Sequence, residues 1–134
     1  MFSHVSLGTN AFDRAVIFYD AVLGVLGLRR IATLPDWPAA GWGTAPGERP
    51  QFWLTRPYDN GAASSGNGGM VAFAAADRAV VRAVHAAALA AGGTDEGDPG
   101  LRAHYHPHWY GAYFRDLDGN KLCVCCHGAD QAGS

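Results

Sequence analysis

Charged side chains are scarce in this sequence, and neither sign dominates. Only 16% of the 134 residues are Asp, Glu, Lys or Arg, and the formal net charge at neutral pH is −2. Proteins that bind nucleic acid or anionic membranes without regard to sequence depend on an excess of basic side chains. We therefore expect neither nucleic acid nor a membrane surface as a partner.

Long apolar runs are also missing. No stretch approaches the roughly 20 apolar residues that a membrane-spanning helix needs. The first residues, Met1 to His4, do not show the basic segment followed by an apolar segment that marks a secretory signal. We expect a cytoplasmic protein whose partners are small molecules or a second copy of itself.

Cysteine occurs only three times, at Cys123, Cys125 and Cys126. This spacing does not form a disulfide framework, and it lacks the second pair of ligands that a structural zinc site requires. Free thiols are typical of a reducing compartment, which agrees with a cytoplasmic location.

Apolar residues are abundant, at 49% of the sequence. A chain of this length can bury a core without disulfides or metals to hold it together. We predict one folded domain over residues 1–134, ending in a short flexible C-terminal tail.

The tetrapeptide at residues 13–16, Asp-Arg-Ala-Val, recurs at residues 77–80, about half a chain later. Each copy follows a short apolar run and opens a helical pattern, with Asn10 and Asp77 as the expected N-caps. Three strand-like segments follow each helix, and these lie at residues 28–34, 41–44, 51–55, 101–105, 110–115 and 121–126. The sequence predicts an α+β fold of two βαβββ modules, one over about residues 1–56 and one over about 69–128.

Alternation along the predicted strands separates two kinds of face. One face is aliphatic and should pack against the helices; its residues are Val5, Leu7, Phe52, Leu54, Val71, Phe73, Leu122 and Val124. The opposite face gathers His4, Trp53, Met70 and Cys123, a mixture that helix packing does not need. We predict that this second face lines a pocket. His85, on the second helix, is predicted to be a surface residue.

Three stretches, in their order and spacing, resemble the vicinal oxygen chelate superfamily, which includes glyoxalase I, extradiol dioxygenases and bleomycin- and fosfomycin-resistance proteins. They are His4-Val5 with Phe-Tyr-Asp-Ala-Val-Leu-Gly at 18–24, Gly-Met-Val-Ala-Phe at 69–73, and Arg-Asp-Leu-Asp-Gly-Asn at 115–120. The resemblance implies a curled mixed sheet in each module, with helices on the outer face and a cavity on the inner face. It also implies a homodimer.

Family enzymes commonly hold a divalent metal with one inward side chain from each of four strands, usually His or Glu. The resemblance carries these positions onto His4, Trp53, Met70 and Cys123, where only His4 keeps the usual type. Trp is not a metal ligand, and a Met thioether suits soft ions. The cofactor is therefore unknown, and a divalent metal is not supported by this ligand set.

The segment from His104 to Tyr110 concentrates polar aromatic residues, including three histidines at alternate positions. One interpretation is that substrate contacts come from Tyr105, His106, His108 and Tyr113, with a histidine that transfers a proton near neutral pH. The three histidines could also form a metal site. The alternative is an exposed loop, bent by its proline, that is merely rich in histidine.

Three functions remain open. The first is a lyase, isomerase or dioxygenase that acts on a small oxygen-rich molecule through a degenerate metal site, with His4 and Cys123 as catalytic residues. The second is a non-catalytic, drug-sequestering protein of the resistance type, in which a metal-free cavity binds its ligand through aromatic side chains such as Trp53 and Trp109. The third is a thiol-dependent activity of Cys123 assisted by His4.

Overall fold

The computed structural model describes residues 1–129, so the predicted C-terminal tail lies almost entirely outside the described residues. Module one consists of β1 (His4–Gly8), α1 (Phe12–Val25), β2 (Arg29–Thr33), β3 (Ala39–Gly43) and β4 (Gln51–Thr55). Module two consists of β5 (Val71–Ala74), α2 (Arg78–Ala90), β6 (Thr94–Leu101), β7 (Tyr110–Arg115) and β8 (Lys121–Cys126). The element order is βαβββ twice, as the sequence predicts.

Each module forms its own four-stranded mixed sheet, in the order β1-β4-β3-β2 or β5-β8-β7-β6. The first strand of each module pairs in parallel with the last, and the remaining pairs are antiparallel. Neither sheet closes on itself. The predicted α+β class, with helices on one face of each sheet and a cavity on the other, is confirmed.

The predicted strand at residues 101–105 is wrong, because the observed strand β6 lies earlier, at Thr94–Leu101. The observed strand contains Gly97, Pro99 and Gly100, residues that are typical of turns rather than strands. It is nevertheless accommodated because β6 is an edge strand, and its pairing with β7 shifts register twice. Irregularities of this kind let an edge strand accept proline and glycine.

The two helices begin differently although their first turns share a tetrapeptide. The Asp77 carboxylate caps α2 as predicted by accepting a hydrogen bond from the backbone N–H of Val80 at 2.9 Å. The predicted cap of α1 is wrong: its N-cap is Ala11, with no side-chain cap. Asn10 instead exchanges two hydrogen bonds with the backbone of Ala63, at 2.7 and 3.1 Å. Within residues 1–129, neither helix has the length and apolar character needed to cross a bilayer.

A single hydrophobic core spans both modules. Helices α1 and α2 contact each other, and their buried faces pack on the aliphatic faces of the two sheets. The rings of Phe52 and Phe73 meet across the modules with centroids 5.4 Å apart. The buried strand residues of this core include Trp42, Phe52, Leu54, Ala112, Phe114, Leu122 and Val124. The predicted alternation of faces is therefore confirmed for β4 and β8.

A buried polar network also joins the modules. The Tyr19 hydroxyl donates to the Asp116 carboxylate at 2.5 Å, and the Asn120 side-chain amide donates to the same carboxylate and to the backbone carbonyl of Gly8. Burial and the adjacent Asp116 charge raise the pKa of Tyr19 well above its ordinary value. The Asp-Leu-Asp-Gly-Asn turn thus connects the β7–β8 hairpin to the first module.

His85 is buried, so its prediction as a surface residue is wrong. Its Nε2 atom lies 2.9 Å from Asp95 Oδ1 on β6, and its side chain is only 7% exposed. The physical reason is the position of β6, which runs beside α2 and supplies both cover and a carboxylate. Because this strand was predicted after residue 100, the contact between His85 and Asp95 could not be anticipated.

Candidate functional site

Each sheet has one face packed on the helices and an opposite face, here termed the open face. The open face of the first sheet carries His4 and Ser6 from β1 and alternate residues of β4. A shallow cavity of about 380 Å³ lies on it, lined by His4, Ser6, Ala39, Arg49, Gln51, Trp53 and Thr55. The first open face is therefore the inner surface that the fold leaves accessible in module one.

Trp53 forms the floor of this cavity. Its ring lies directly on the backbone of β3, since a Cβ atom added at Gly41 would stand 2.6 Å from the indole. The indole N–H donates to Gln51 Oε1 at 2.9 Å. Beside it, His4 is exposed, and its Nδ1 lies 2.9 Å from the Ser3 hydroxyl.

The second sheet repeats this construction with a larger aromatic group. The Trp109 ring lies on Gly111 of β7, where an added Cβ would stand 2.7 Å from the ring and 2.9 Å from the Cβ of Cys125. Trp109 and Tyr113 stack with centroids 6.0 Å apart and planes at 20°, and Tyr105 lies 4.9 Å from Trp109. Both modules therefore place an indole on a glycine of their third strand.

Two cations flank the Tyr113 ring on this second open face. The Arg102 guanidinium lies 5.3 Å from the ring centroid, and the Lys121 ammonium lies 5.2 Å from it. Arg102 is held by hydrogen bonds to the backbone carbonyls of Asp98, Gly100 and Gly111. Burial raises the pKa of Tyr113, so its hydroxyl stays protonated at neutral pH.

Thiols and imidazoles form a connected group next to Trp109. Cys125 Sγ lies 3.7 Å from His127 Nε2, and His127 Nδ1 lies 2.9 Å from His106 Nε2. A hydrogen bond from Cys123 and, with smaller effects, the charge and hydrogen bond of His127 together lower the pKa of Cys125 to about 6 against the opposing effect of burial. The same hydrogen bond, together with burial, raises the pKa of Cys123.

The predicted site residues fall into two groups. His4 shares the first open face with Trp53, and His4 and Met70 both line an apolar cleft of about 640 Å³ at the edges of β1 and β5. The second group lies at the other sheet, where Cys123 pairs with Tyr113 in the β7–β8 register. Near them are Tyr105, His106 and His108, the last of which donates its backbone N–H to His106 Nδ1 at 3.2 Å.

Arg102, Cys125 and His127 were not among the predicted site residues. Cys125 and His127 were detectable, because they share the alternation of Cys123 along the last strand. Arg102 gave no signal, since its position depends on the backbone carbonyls that surround it.

The four positions implied for a metal do not fit one. The Trp53 indole is a hydrogen-bond donor, Met70 offers a soft thioether, and the surroundings of Cys123 favour its protonated form, whereas metals bind the thiolate. Among the described residues, a group of three donors close enough to share an ion is found elsewhere, at His85, Asp95 and Asp98. No catalytic step through a metal is therefore derived from these positions.

Comparison with known proteins agrees with this architecture. The family model of the Glyoxalase/Bleomycin resistance protein/Dioxygenase superfamily matches residues 1–124. No sequence among curated proteins gives a significant match. The chain is 36% identical to a glyoxalase/bleomycin resistance protein from Albidiferax ferrireducens T118, with a TM-score of 0.81 over 96% of this chain and 99% of that one.

Two further solved structures share the fold at lower identity. A lactoylglutathione lyase from Agrobacterium tumefaciens is 23% identical, with a TM-score of 0.65 over 94% of this chain and 92% of that one. TioX from Micromonospora sp. ML1 is 20% identical, with a TM-score of 0.66 over 96% of this chain and 99% of that one.

Proposed function

We propose, from the premise that this chain belongs to the Glyoxalase/Bleomycin resistance protein/Dioxygenase superfamily, that it binds a small, planar, oxygen-rich molecule without a metal ion. The observation that carries this proposal is the stacked Trp109–Tyr113 pair with cations beside it. The four positions that the family implies for a metal, which are divided between the two sheets, also lack a set of metal-binding side chains. This is the resistance-type, ligand-sequestering function rather than catalysis.

The chemistry of the second open face indicates the kind of ligand. Exposed aromatic rings such as Tyr105, which is 57% exposed, offer flat apolar area that stacks well on a planar molecule. Lys121 and Arg102 add positive charge at the edge of that area, which favours carboxylate, phenolate or sulfonate oxygens. We therefore expect a conjugated ring system that carries at least one anionic oxygen.

A second copy of the chain completes the site in this proposal. A ligand lying on one open face would keep its other side in water, whereas small-molecule sites bury most of the ligand surface. In a homodimer, the first open face of one protomer, with His4 and Trp53, would oppose the second open face of its partner. Met70 would lie at the rim, and the second face would contribute its predicted substrate contacts, Tyr105, His106, His108 and Tyr113.

Catalysis of the lyase, isomerase or dioxygenase type is the competing function. It would use His4 and Cys123, which lie on different sheets and therefore would meet most simply across two copies. It would also need a metal ligand set that these positions do not supply, so the proposal ranks it second.

The test begins with protein purified without chelators. Metal analysis is expected to give well under one divalent ion per chain. Titration with 1-anilinonaphthalene-8-sulfonate, a planar aromatic anion, is expected to give saturable binding that Trp109→Ala weakens about tenfold, or about 1.4 kcal/mol. Lys121→Met should weaken the binding of the sulfonate probe more than the binding of the neutral probe N-phenyl-1-naphthylamine.

Trp37→Phe is the matched control: the Trp37 indole donates to the Arg56 carbonyl and does not line the cavity on the first open face, so this substitution should leave binding unchanged. Sedimentation measures the oligomeric state with and without the probe. Stoichiometric divalent metal, together with probe binding that disappears on chelation, would contradict the proposal and support the enzymatic function.

A further inference from the structure

We propose that Cys125 is a nucleophilic thiolate that adds to α,β-unsaturated carbonyl compounds, and that His127 and His106 position and activate it. This reactivity does not depend on the ligand proposed above, since it follows from the thiol and its immediate neighbours. It assigns a covalent function to a residue outside the predicted catalytic pair.

The direction of the hydrogen bonds around Cys125 follows from one backbone group. The N–H of His108 donates to His106 Nδ1, so a neutral His106 carries its proton on Nε2. That proton is directed at His127 Nδ1, 2.9 Å away, and a neutral His127 must then carry its own proton on Nε2. His127 Nε2–H therefore points at Cys125 Sγ, at 3.7 Å.

A second donor converges on the same sulfur. Cys123 lies two residues earlier on β8, on the same face, and a hydrogen bond from its thiol is the largest cause that lowers the pKa of Cys125. Two donors stabilise the thiolate of Cys125 and leave Cys123 as the protonated partner. The pKa of Cys125 at about 6 agrees with this asymmetry.

All three thiols are buried, and Cys125 is distinguished by its contact with His127 and its place beside Trp109. Cys123 is completely buried, whereas Cys125 keeps 6% of its surface exposed on the open face. Cys126 points the other way and belongs to the hydrophobic core. The Trp109 ring beside Cys125 gives a conjugated electrophile a flat surface on which to lie within reach of the sulfur.

The reaction balances without a redox partner. The thiolate electron pair forms a carbon–sulfur bond to the β-carbon, and the electrons of the carbon–carbon double bond move to the carbonyl oxygen as an enolate. A water molecule gives the α-carbon of this enolate its proton and leaves as hydroxide, while His127 keeps its Nε2 proton, whose role is to orient the sulfur before attack. The products are a thioether and a saturated carbonyl compound.

The other groups around Cys125 do not supply a competing base. On β5 its register partner is Ala74, and on β7 its partner is Gly111; neither carries a titratable side chain. The titratable and charged side chains nearby are those of Lys121, Cys123 and His127 on its own side of the sheet, and Arg102, Tyr105, His106 and Tyr113 from β7 and the segment before it. The cations Arg102 and Lys121 act on Cys123, whereas His127 is the neighbouring side chain that, besides Cys123, lowers the pKa of Cys125.

The experiment uses the full chain and N-ethylmaleimide, a planar unsaturated carbonyl compound, with tandem mass spectrometry to locate the adduct. At pH 7 we expect Cys125 to react at least about tenfold faster than an ordinary thiol. The rate should rise through an inflection near pH 6, where Cys125 ionises. First labelling at Cys123 or Cys126, or an inflection between pH 8 and 9, would overturn the proposal.

Matched variants distinguish the effect of the hydrogen-bond donors His127 and Cys123 on the reaction rate from an effect of side-chain packing alone. His127→Ala should slow the reaction at pH 7 by about tenfold, and His127→Gln should restore part of the rate because its amide can donate to sulfur. Cys123→Ala should slow it, whereas Cys123→Ser keeps a donor and should not. His127 is exposed, so its variants should keep the wild-type circular dichroism and thermal midpoint. Equal rates in His127→Ala and the wild type would refute the assigned role.

Discussion

At the scale of single residues, Tyr19 and Asp116 show how polar groups can join two modules inside an apolar core. Tyr19 is completely buried and Asp116 is 4% exposed, yet the carboxylate accepts hydrogen bonds from Tyr19, from the Asn120 side chain and from two backbone N–H groups. A buried carboxylate persists only when it is paired in this way. Removing one donor leaves the other hydrogen bonds in place, but part of the buried carboxylate then lacks a hydrogen-bond partner.

Tyr19→Phe is therefore expected to lower the free energy of unfolding by about 1.5–3 kcal/mol, the usual cost of losing a hydrogen bond to a charged group. Urea denaturation followed by circular dichroism measures the change. Tyr58→Phe is the control, because Tyr58 is 99% exposed and should alter stability by less than about 0.5 kcal/mol. Equal effects of the two substitutions would contradict this role of Tyr19.

At the scale of elements, the repeated tetrapeptide forms helix starts that are not equivalent. Asp77 is the N-cap of α2 and bonds to the backbone of Val80, whereas Asp13 lies inside the first turn of α1 and makes no cap. Identical residues in the two copies of the tetrapeptide therefore do not make the same interaction. The residue at which the helix begins decides whether the Asp side chain can cap it. In module one, the Asn10 side chain bonds to the backbone of Ala63 instead of capping α1.

Asp77→Ala should cost about 0.5–2 kcal/mol of stability because α2 loses its side-chain cap. Asp13→Ala is the matched substitution in the same tetrapeptide, and it should cost less than about 0.5 kcal/mol because Asp13 is exposed. Chemical denaturation of both variants under one condition tests the difference. A larger loss for Asp13→Ala would reverse the assignment of the caps.

The contact between α2 and β6 predicts a dependence of stability on pH. A hydrogen bond from the backbone N–H of Gly97 and, with a smaller effect, one from His85 lower the pKa of Asp95. Because the folded pKa lies below the unfolded one, this carboxylate stabilises the fold above the unfolded pKa of about 4, and the effect is lost as the pH falls through the folded value.

Comparison of the wild type with Asp95→Asn from pH 7 to pH 3 tests this assignment. The variant should be the less stable protein at pH 7, and the difference between the two urea midpoints should shrink below about pH 4. A difference that stays constant over this range would show that Asp95 does not contribute through its charge.

At the scale of the whole molecule, the two modules share one core, so we expect them to unfold together. The helices contact each other, Phe52 meets Phe73, and the Tyr19–Asp116 and Asn120–Gly8 hydrogen bonds cross between the modules. Separating the modules would expose to water the apolar surfaces with which the two helices contact each other. The cost of that exposure couples the two unfolding events.

Unfolding is therefore expected to be a single transition. Trp109→Phe leaves Trp37, Trp42 and Trp53 as fluorescence probes, all in module one, whereas circular dichroism reports both modules. The two signals of this variant should give the same urea midpoint. Midpoints that differ beyond error would show that one module unfolds before the other and would disprove the shared core.

The sequence by itself determined the features that depend on local pattern. Alternation fixed which residues of β4 and β8 enter the core, because a side chain on a strand can only point to one face or the other. The bounds of β4, β7 and β8 followed from apolar runs between turn residues. The same alternation placed Trp53 and Cys123 on the faces opposite the core.

Tertiary structure alone decided the rest. The sequence of β6 is typical of a turn, and it becomes a strand only because β7 offers a partner along its edge, which in turn buries His85. The thiolate site depends likewise on the segment 102–109, which folds back so that His106 reaches His127. Such contacts join residues far apart in the chain, and their geometry is set by packing energies that no local pattern encodes.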